Sequence, residues 1–297
     1  MIIVKVWGGL GNQMFDYALY RQLEEKHRGE IDVKLDISFF DYYDAHYGYE
    51  LERVFSLKPV YATREECEKL ANIKLDMWNR FKRKYICQKP TQIVPAPEQA
   101  TCFVPEILEL SEGYLQGYWQ SELYFKNIEN EIRKDFRFCN PLNKNNSELL
   151  EQIRASNSVS LHVRRGDYVS NQKIKKDALT PSGVCTEKYY FNAIEYIQAQ
   201  IENPEFFVFS DDIEWCRQNL RLESAHYADW NVGKESFVDM QLMSCCKHNI
   251  ISNSTFSWWG AWLNGNPGKM VLVPDKWYYN GHIGDILCDD WRKIKTT

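Results

Sequence analysis

A strand-length apolar run at the head of the sequence, Ile2-Ile3-Val4-Lys5-Val6-Trp7, breaks directly into Gly8-Gly9-Leu10-Gly11. Past the glycines, Met14, Phe15, Ala18, Leu19 and Leu23 recur at helical spacing, which predicts a helix over roughly residues 12–27. A second apolar run, from Ile31 to Leu35, ends at Asp36. Strand, tight turn, helix and strand in that order open a βαβ unit, which commits this part of the chain to a parallel sheet covered by helices.

The turn imitates a dinucleotide-binding fingerprint. Gly9-Leu10-Gly11-Asn12-Gln13-Met14 meets two of the three glycine positions of G-x-G-x-x-G, and Asp36 supplies an acidic residue at the end of the next strand. The third glycine, which lets helix and strand pack closely, is Met14 here, and that disfavours an NAD-dependent oxidoreductase. Asn12 and Gln13 instead set amide groups at a helix start. Contact between a sugar or phosphate and Gly9, Gly11 and Asn12 is the expected use of the turn, with a tight turn that binds nothing as the alternative.

The stretch His162-Val163-Arg164-Arg165-Gly166-Asp167-Tyr168 follows Val159-Ser160-Leu161. The apolar run reads as a short buried strand, and Gly166 lets the chain turn sharply at its end. Successive strand residues face opposite ways, so one arginine can point into a crevice while the other pairs with a carboxylate, for which Asp167 is nearest. Guanidinium forks onto phosphate oxygens, so the expectation is a pyrophosphate clamp at the strand's carboxyl end, with Arg165 as its charge. A structural Arg–Asp pair is the other reading. His162 is expected lower in the same pocket, with a packed, neutral histidine as its alternative.

Two more strand exits carry polar groups. Phe207-Val208-Phe209-Ser210-Asp211-Asp212 ends in two carboxylates, one of which, Asp212, is expected to cap the next helix. Asn249-Ile250-Ile251 leads into Ser252-Asn253-Ser254-Thr255-Phe256-Ser257-Trp258-Trp259-Gly260-Ala261-Trp262. Ser252 or Ser254 fits an N-cap, and a helix amino terminus favours anions, so Ser254, Thr255 and Phe256 are expected diphosphate contacts. The tryptophan stripe is expected to anchor that helix in the core. The sequence contains no Asp-x-Asp, the arrangement many metal-dependent sugar transferases use.

At 297 residues the chain has room for two domains, and the polar segment from Asn140 to Ser147 suggests a boundary near it, giving 1–150 and 151–297. Beyond it strands are expected near 158–163, 205–209, 248–252 and 269–273, and helices near 186–202, 212–220, 235–246 and 255–264, a second Rossmann-like unit. Residues 39–140 are less regular and rich in aromatics, some of which could offer ring faces to sugars. A net charge of −5 argues against a nucleic-acid surface. No run of 18 apolar residues occurs, no secretory signal is evident, and nine cysteines lack metal-type spacing, so a cytoplasmic protein with reduced thiols is expected.

Taken in order, the glycine turn, the Arg164-Arg165 stretch and the segment from Ser252 to Trp262 resemble the α-1,2-fucosyltransferases of glycosyltransferase family 11. Leu35-Asp36-Ile37-Ser38, Gly117-Tyr118-Trp119-Gln120, the run from Phe207 to Asp212, and Asp290-Trp291 extend the resemblance over nearly the whole chain. It implies an α/β fold of the GT-B type, two Rossmann-like domains facing across a cleft, with residues 1–150 on the acceptor side and 151–297 binding the donor. It implies inverting transfer of L-fucose from GDP-fucose to O2 of a terminal galactose of a glycan, with no metal and no other cofactor. Arg165 and the amides from Ser254 to Phe256 would stabilise the leaving diphosphate. Gly9, Gly11, Arg164, His162, Ser210 and Asp212 would complete the donor set, one aspartate accepting from the guanine edge, and Asn12 would join Arg165 in the catalytic set. Asp16 stands where the family pattern has glutamine and is a candidate base, with Asp167 and Asp36 as others, although a strongly dissociative transfer needs no strong base. A GDP-sugar transferase of other linkage or acceptor, and a nucleotide-sugar or glycan-binding module without turnover, are the competing readings. Surface polysaccharide assembly, with at most peripheral attachment at the inner membrane face, is the expected setting.

Overall fold

The computed structural model describes residues 1–42, 45–71, 91–95, 99–166, 181, 183–220 and 222–297. The chain divides into two compact units, Met1–Arg137 with Gly284–Ile286, and Phe138–Ile283 with Leu287–Thr297.

The first unit holds β1 (Ile2–Lys5), α1 (Leu10–His27), β2 (Val33–Asp36), α2 (Leu51–Phe55), α3 (Arg64–Leu70), β3 (Gln92–Ile93), β4 (Gly113–Leu115) and α4 (Glu129–Asp135). Its sheet runs β2-β1-β4-β3 with every neighbouring pair parallel. Ile2, Ile3 and Val4 of β1 are wholly buried, as a strand covered on both faces must be. α1 covers it with Met14, Phe15, Ala18, Leu19 and Leu23, the residues whose spacing predicts the helix, all without exposed surface. Asp36, at the exit of β2, accepts the Ser38 N–H at 2.9 Å and the hydroxyl of Tyr114 from β4. That carboxylate therefore braces the sheet.

The second unit holds α5 (Lys144–Ala155), β5 (Asn157–Val163), α6 (Glu187–Gln200), β6 (Pro204–Ser210), α7 (Ile213–Asn219), β7 (Ala225–Ala228), α8 (Phe237–Cys245), β8 (His248–Ile250), α9 (Thr255–Leu263), β9 (Val271–Pro274) and β10 (Arg292–Ile294). Six parallel strands run β10-β9-β8-β5-β6-β7. Val159, Leu161 and Val163 of β5 pack with Phe206 and Val208 of β6 and with Tyr189, Tyr190, Ala193 and Ile197 of α6. Trp258 and Trp259 of α9 are fully buried and Trp262 nearly so, with Trp258 and Trp259 edge-to-face at 4.9 Å. The stripe therefore serves the core. α8 and α9 approach closely at Gly260, where a Cβ would come within 2.8 Å of the Met243 methyl and 3.1 Å of its Cβ. Of the adjacent cysteines, Cys246 is buried and Cys245 is exposed.

The division falls at Arg137/Phe138, ahead of the residue 150 expected from the polar segment. Hydrogen bonds explain the shift. Asn146 on α5 exchanges bonds with Asn231 at 2.8 and 2.9 Å and accepts the Trp230 indole N–H at 2.8 Å, so α5 is tied to the second unit. Residues 284–286 return to the first unit through Asp285. Its N–H donates to the Thr101 carbonyl at 2.7 Å, its carboxylate accepts the Phe103 N–H at 2.8 Å, and its carbonyl accepts the Ser121 hydroxyl at 2.8 Å. Among the described residues, no helix is long and apolar enough to cross a membrane.

The Asn146–Asn231 pair continues to Asp239 in the first turn of α8, which accepts from Asn231 at 2.8 Å. Burial pushes the Asp239 carboxyl up to about 8, against the pull of that bond. An unfolded aspartate titrates near 3.9, so this group's contribution to stability is complete below about pH 4 and is lost as pH rises through about 8. Asp239→Asn keeps the acceptor and removes the ionisation; urea midpoints at pH 5 and pH 8.5 should therefore lie closer together in the variant than in the wild type. Gly260→Ala should lower stability by about 1–3 kcal/mol through overpacking against Met243, read from the same denaturation curves.

Candidate active site

The exits of β8, β5 and β6 stand side by side, because these strands are neighbours and run parallel. The register pairs Val163 with Ser210, which sets the two residues after β5 beside the two after β6. Arg164 consequently meets Asp211, Nη1 to Oδ2 at 3.0 Å, and Arg165 meets Asp212 through Nε at 3.2 Å. The Arg165 guanidinium also lies over the Trp215 ring, 3.9 Å from its centroid. Both arginines are thus paired, where one was expected to pair and the other to be open. Asp167, the partner suggested by proximity in sequence, lies outside the described residues. A single Nε contact occupies one of the five donors of the Arg165 fork, which suits it to hold an anion with the rest.

Asp211 does more than pair. It accepts the backbone N–H groups of Arg165 at 2.8 Å and Gly166 at 3.0 Å, and a Cβ on Gly166 would sit 2.7 Å from its Oδ2. The glycine is required because the carboxylate approaches the backbone. Asp212 caps α7 by accepting the Trp215 N–H at 3.1 Å, as expected of one aspartate here, and donates its own N–H to Ser210 Oγ at 2.9 Å. Ser210 and Asp212 are therefore tied to each other and to α7 and Arg165.

His162 is buried, its Nδ1 2.9 Å from Ser252 Oγ and its ring tilted against Phe256 at 5.6 Å. Burial, helped by the Arg164 charge, pulls it down to about 3, so the imidazole is neutral at ordinary pH. Ser254 occupies the N-cap position of α9, and the Trp258 N–H to Ser254 carbonyl bond at 2.9 Å begins the helix. The N–H groups of Thr255, Phe256 and Ser257 precede that bond, and the helix dipole adds to their pull on an anion. Asn253 steadies the entry by donating to the carbonyls of Pro181 at 2.8 Å and Trp277 at 2.9 Å.

In the first unit the glycine turn sits at the exit of β1. Gly8 is left-handed at φ +73°, and a Cβ there would lie 2.7 Å from Asn12 Nδ2. Gly9 precedes α1 in extended conformation, and its carbonyl accepts from Asn12 and Gln13 N–H groups at 2.9 and 3.1 Å. Asn12 Oδ1 accepts from Gln120 at 3.0 Å. Gln13 is buried and bridges the turn to a later loop, donating to the carbonyls of Gly8 and Gly48 and accepting the Glu50 N–H at 2.9 Å. Met14, in place of the third glycine, is part of the core.

Asp16, a candidate base in the expected catalytic set, lies in the interior beneath the turn. It has no exposed surface and accepts the Trp7 N–H at 3.2 Å, and burial raises its carboxyl well above the usual carboxylate range. Its other oxygen, Oδ1, has no hydrogen-bond partner. A carboxyl in that position holds the backbone of the turn at Trp7. Asp36 is likewise committed, to Ser38 and Tyr114. Around the turn the structure adds residues that sequence reasoning passed over. The ring of His46 lies against Gly9, its Cγ 3.5 Å from where a Cβ would be, and Trp7 stacks on Tyr118 at 4.7 Å and donates its indole N–H to the Gly117 carbonyl at 2.8 Å. No periodicity or motif marks His46; only the chain's return to the turn brings it there.

The family model for glycosyl transferase family 11 matches residues 57–294. An alpha-1,2-colitosyltransferase of Escherichia coli is 36% identical over 99% of this chain and 99% of its own length. The O-antigen biosynthesis glycosyltransferase WbnK, also of Escherichia coli, is 31% identical over 96% of this chain and 97% of its own. The solved structure of fucosyltransferase NodZ from Bradyrhizobium superposes with a TM-score of 0.51, covering 87% of this chain and 91% of that one at 13% identity, a likeness of fold that fits two parallel α/β units of the GT-B type. With the family model matching most of the chain and a relative similar along its whole length, this protein belongs to glycosyltransferase family 11 and is a glycosyltransferase.

Proposed function

We propose that this protein transfers L-fucose from GDP-fucose to O2 of a terminal galactose on a glycan acceptor, with inversion and without a metal. The observation that carries the reading is the pair of arginines held by consecutive aspartates at the exits of β5 and β6, beside the amino terminus of α9. The bond from fucose C1 to the β-phosphate oxygen breaks with its electron pair leaving on GDP, while the acceptor oxygen bonds to C1 from the opposite face and loses its proton. Negative charge grows on the diphosphate. Arg165, oriented by Asp212 and Trp215, and the amides from Ser254 to Phe256 would meet that charge without reorganising. Arg164 and His162 would shape the donor pocket, and Ser210 and Asp212 would hold their arginine and helix in place or reach the guanine edge. Gly9 and Gly11 would contact a sugar or phosphate of the donor and Asn12 would act on the reacting groups, with Asp16 buried beneath them. The division of labour follows the two units, donor in the second and acceptor in the first, in the setting of surface polysaccharide assembly.

The relative named for colitose favours a second reading of the donor. Colitose is L-fucose without its 3-hydroxyl, so the question is whether a polar group in the sugar pocket expects that hydroxyl. A site built to bond a hydroxyl rejects the deoxy sugar strongly, by roughly 10⁴ or more, whereas a site that ignores it discriminates weakly.

Arg165→Ala should abolish measurable GDP binding by calorimetry in EDTA while the wild type binds, and should slow transfer about a hundredfold, about 3 kcal/mol of lost stabilisation. Wild-type binding that requires a divalent ion would overturn the metal-independent clamp. Comparing kcat/KM for GDP-fucose and GDP-colitose on one galactoside decides the donor: a preference for the fucose donor is expected, and a preference for the deoxy donor would replace fucose while leaving the clamp intact.

A further inference from the structure

Six described residues other than glycine adopt positive φ: Arg28, His46, Tyr47, Ser56, Trp119 and Asn203. Arg28 and Ser56 are left-handed caps that end helices, and asparagine tolerates this conformation. The remaining three, His46 at 60°, Tyr47 at 66° and Trp119 at 48°, are bulky residues held around one feature, the glycine turn after β1. Such a residue is strained and persists only where its surroundings over-determine it.

Those surroundings are visible. The side chain of Gln13 grips the loop beyond His46 at the Gly48 carbonyl and the Glu50 N–H while also holding the Gly8 carbonyl. Gln120 reaches from beside Trp119 to Asn12. His46 is thereby carried over Gly9, with its ring at contact distance and Nδ1 3.6 Å from the place a Cβ would take. The imidazole remains exposed to solvent. At the same strand exits Trp7 and Tyr118 form a stacked pair, with Tyr118 exposed, which offers a sugar ring an apolar face.

The acceptor hydroxyl loses its proton in the transfer, and of the described carboxylates weighed for it Asp16 is sealed and Asp36 braces the sheet. We propose that His46 is the catalytic base, accepting the proton of the acceptor hydroxyl in the first unit. This rests on the transferase reading above. As the acceptor oxygen bonds to C1 of the donor sugar and the C1–phosphate bond breaks, the O–H proton passes to an imidazole nitrogen, and the imidazolium then releases it to water. The strained backbone holds the ring at the turn in advance, so the geometry is set before substrate arrives.

The test uses His46→Asn, which accepts the left-handed backbone but not a proton, and His46→Gly, which relieves the strain and opens space for a small base. With the galactoside and GDP-sugar donor that the wild type uses, both variants should lose about a hundredfold or more in kcat, retain wild-type GDP affinity by calorimetry, and keep or gain thermal stability. Added imidazole should restore part of the His46→Gly rate. Either variant within about threefold of wild-type kcat, or a loss confined to the acceptor KM, overturns the assignment and leaves the transferase reading standing. A wild type that binds GDP but transfers neither fucose nor colitose to any galactoside overturns that reading and this assignment with it.

Discussion

Every strand in both sheets pairs parallel with its neighbours, and the arrangement of functional groups depends on that constraint. A parallel sheet gathers the carboxyl ends of its strands along one edge, so residues far apart in sequence emerge side by side. In the second unit this brings the arginines after β5, the aspartates after β6 and the serine-rich entry to α9 after β8 to one place. In the first it brings the glycine turn after β1 next to the Gly117–Gln120 segment after β4. An antiparallel pairing at any of these strands would send its exit to the far edge and dismantle the group.

Desolvation then decides what each polar group at those edges can be. The arginines keep contact with solvent and are paired, which holds their charge in a defined place without sealing it. His162, Asp16 and Asp239 are buried, and burial pushes each toward its neutral form, the histidine downward and the two carboxyls upward. His162 was expected in the donor pocket, Asp16 was a candidate base and Asp239 was not singled out; each is buried and hydrogen-bonded. The opposite holds for His46, which no pattern singles out and which stands exposed on a strained loop against the turn.

Legibility in the sequence followed the physical range of the signal. Helices α6, α7, α8 and α9 lie within a residue or two of their expected limits, and β5 and β6 nearly coincide with theirs, because periodicity and apolar runs are local. β3, β4, β7 and β10 escaped notice: with two to four residues each, they carry no period, and their strand character comes from the sheet they join. The domain boundary was displaced because Asn146 and Asp285 bond across long stretches of chain, and a polar composition cannot reveal which side it will join.

By itself the sequence determined the class of fold and the membership of the three motifs, since a strand running into glycine, paired arginines after a buried strand, and serines before a tryptophan-rich helix are each chemically legible and occur in order. Only the tertiary structure decided the partners. Which aspartate meets which arginine is set by the β5–β6 register, whether Asp16 is open or sealed is set by the helix packing around it, and His46 reaches Gly9 only because Gln13 holds its loop there. Local sequence specifies which groups are carried and which elements carry them; non-local packing supplies proximity and dielectric, and those decide what each side chain pairs with and whether it is sealed from water.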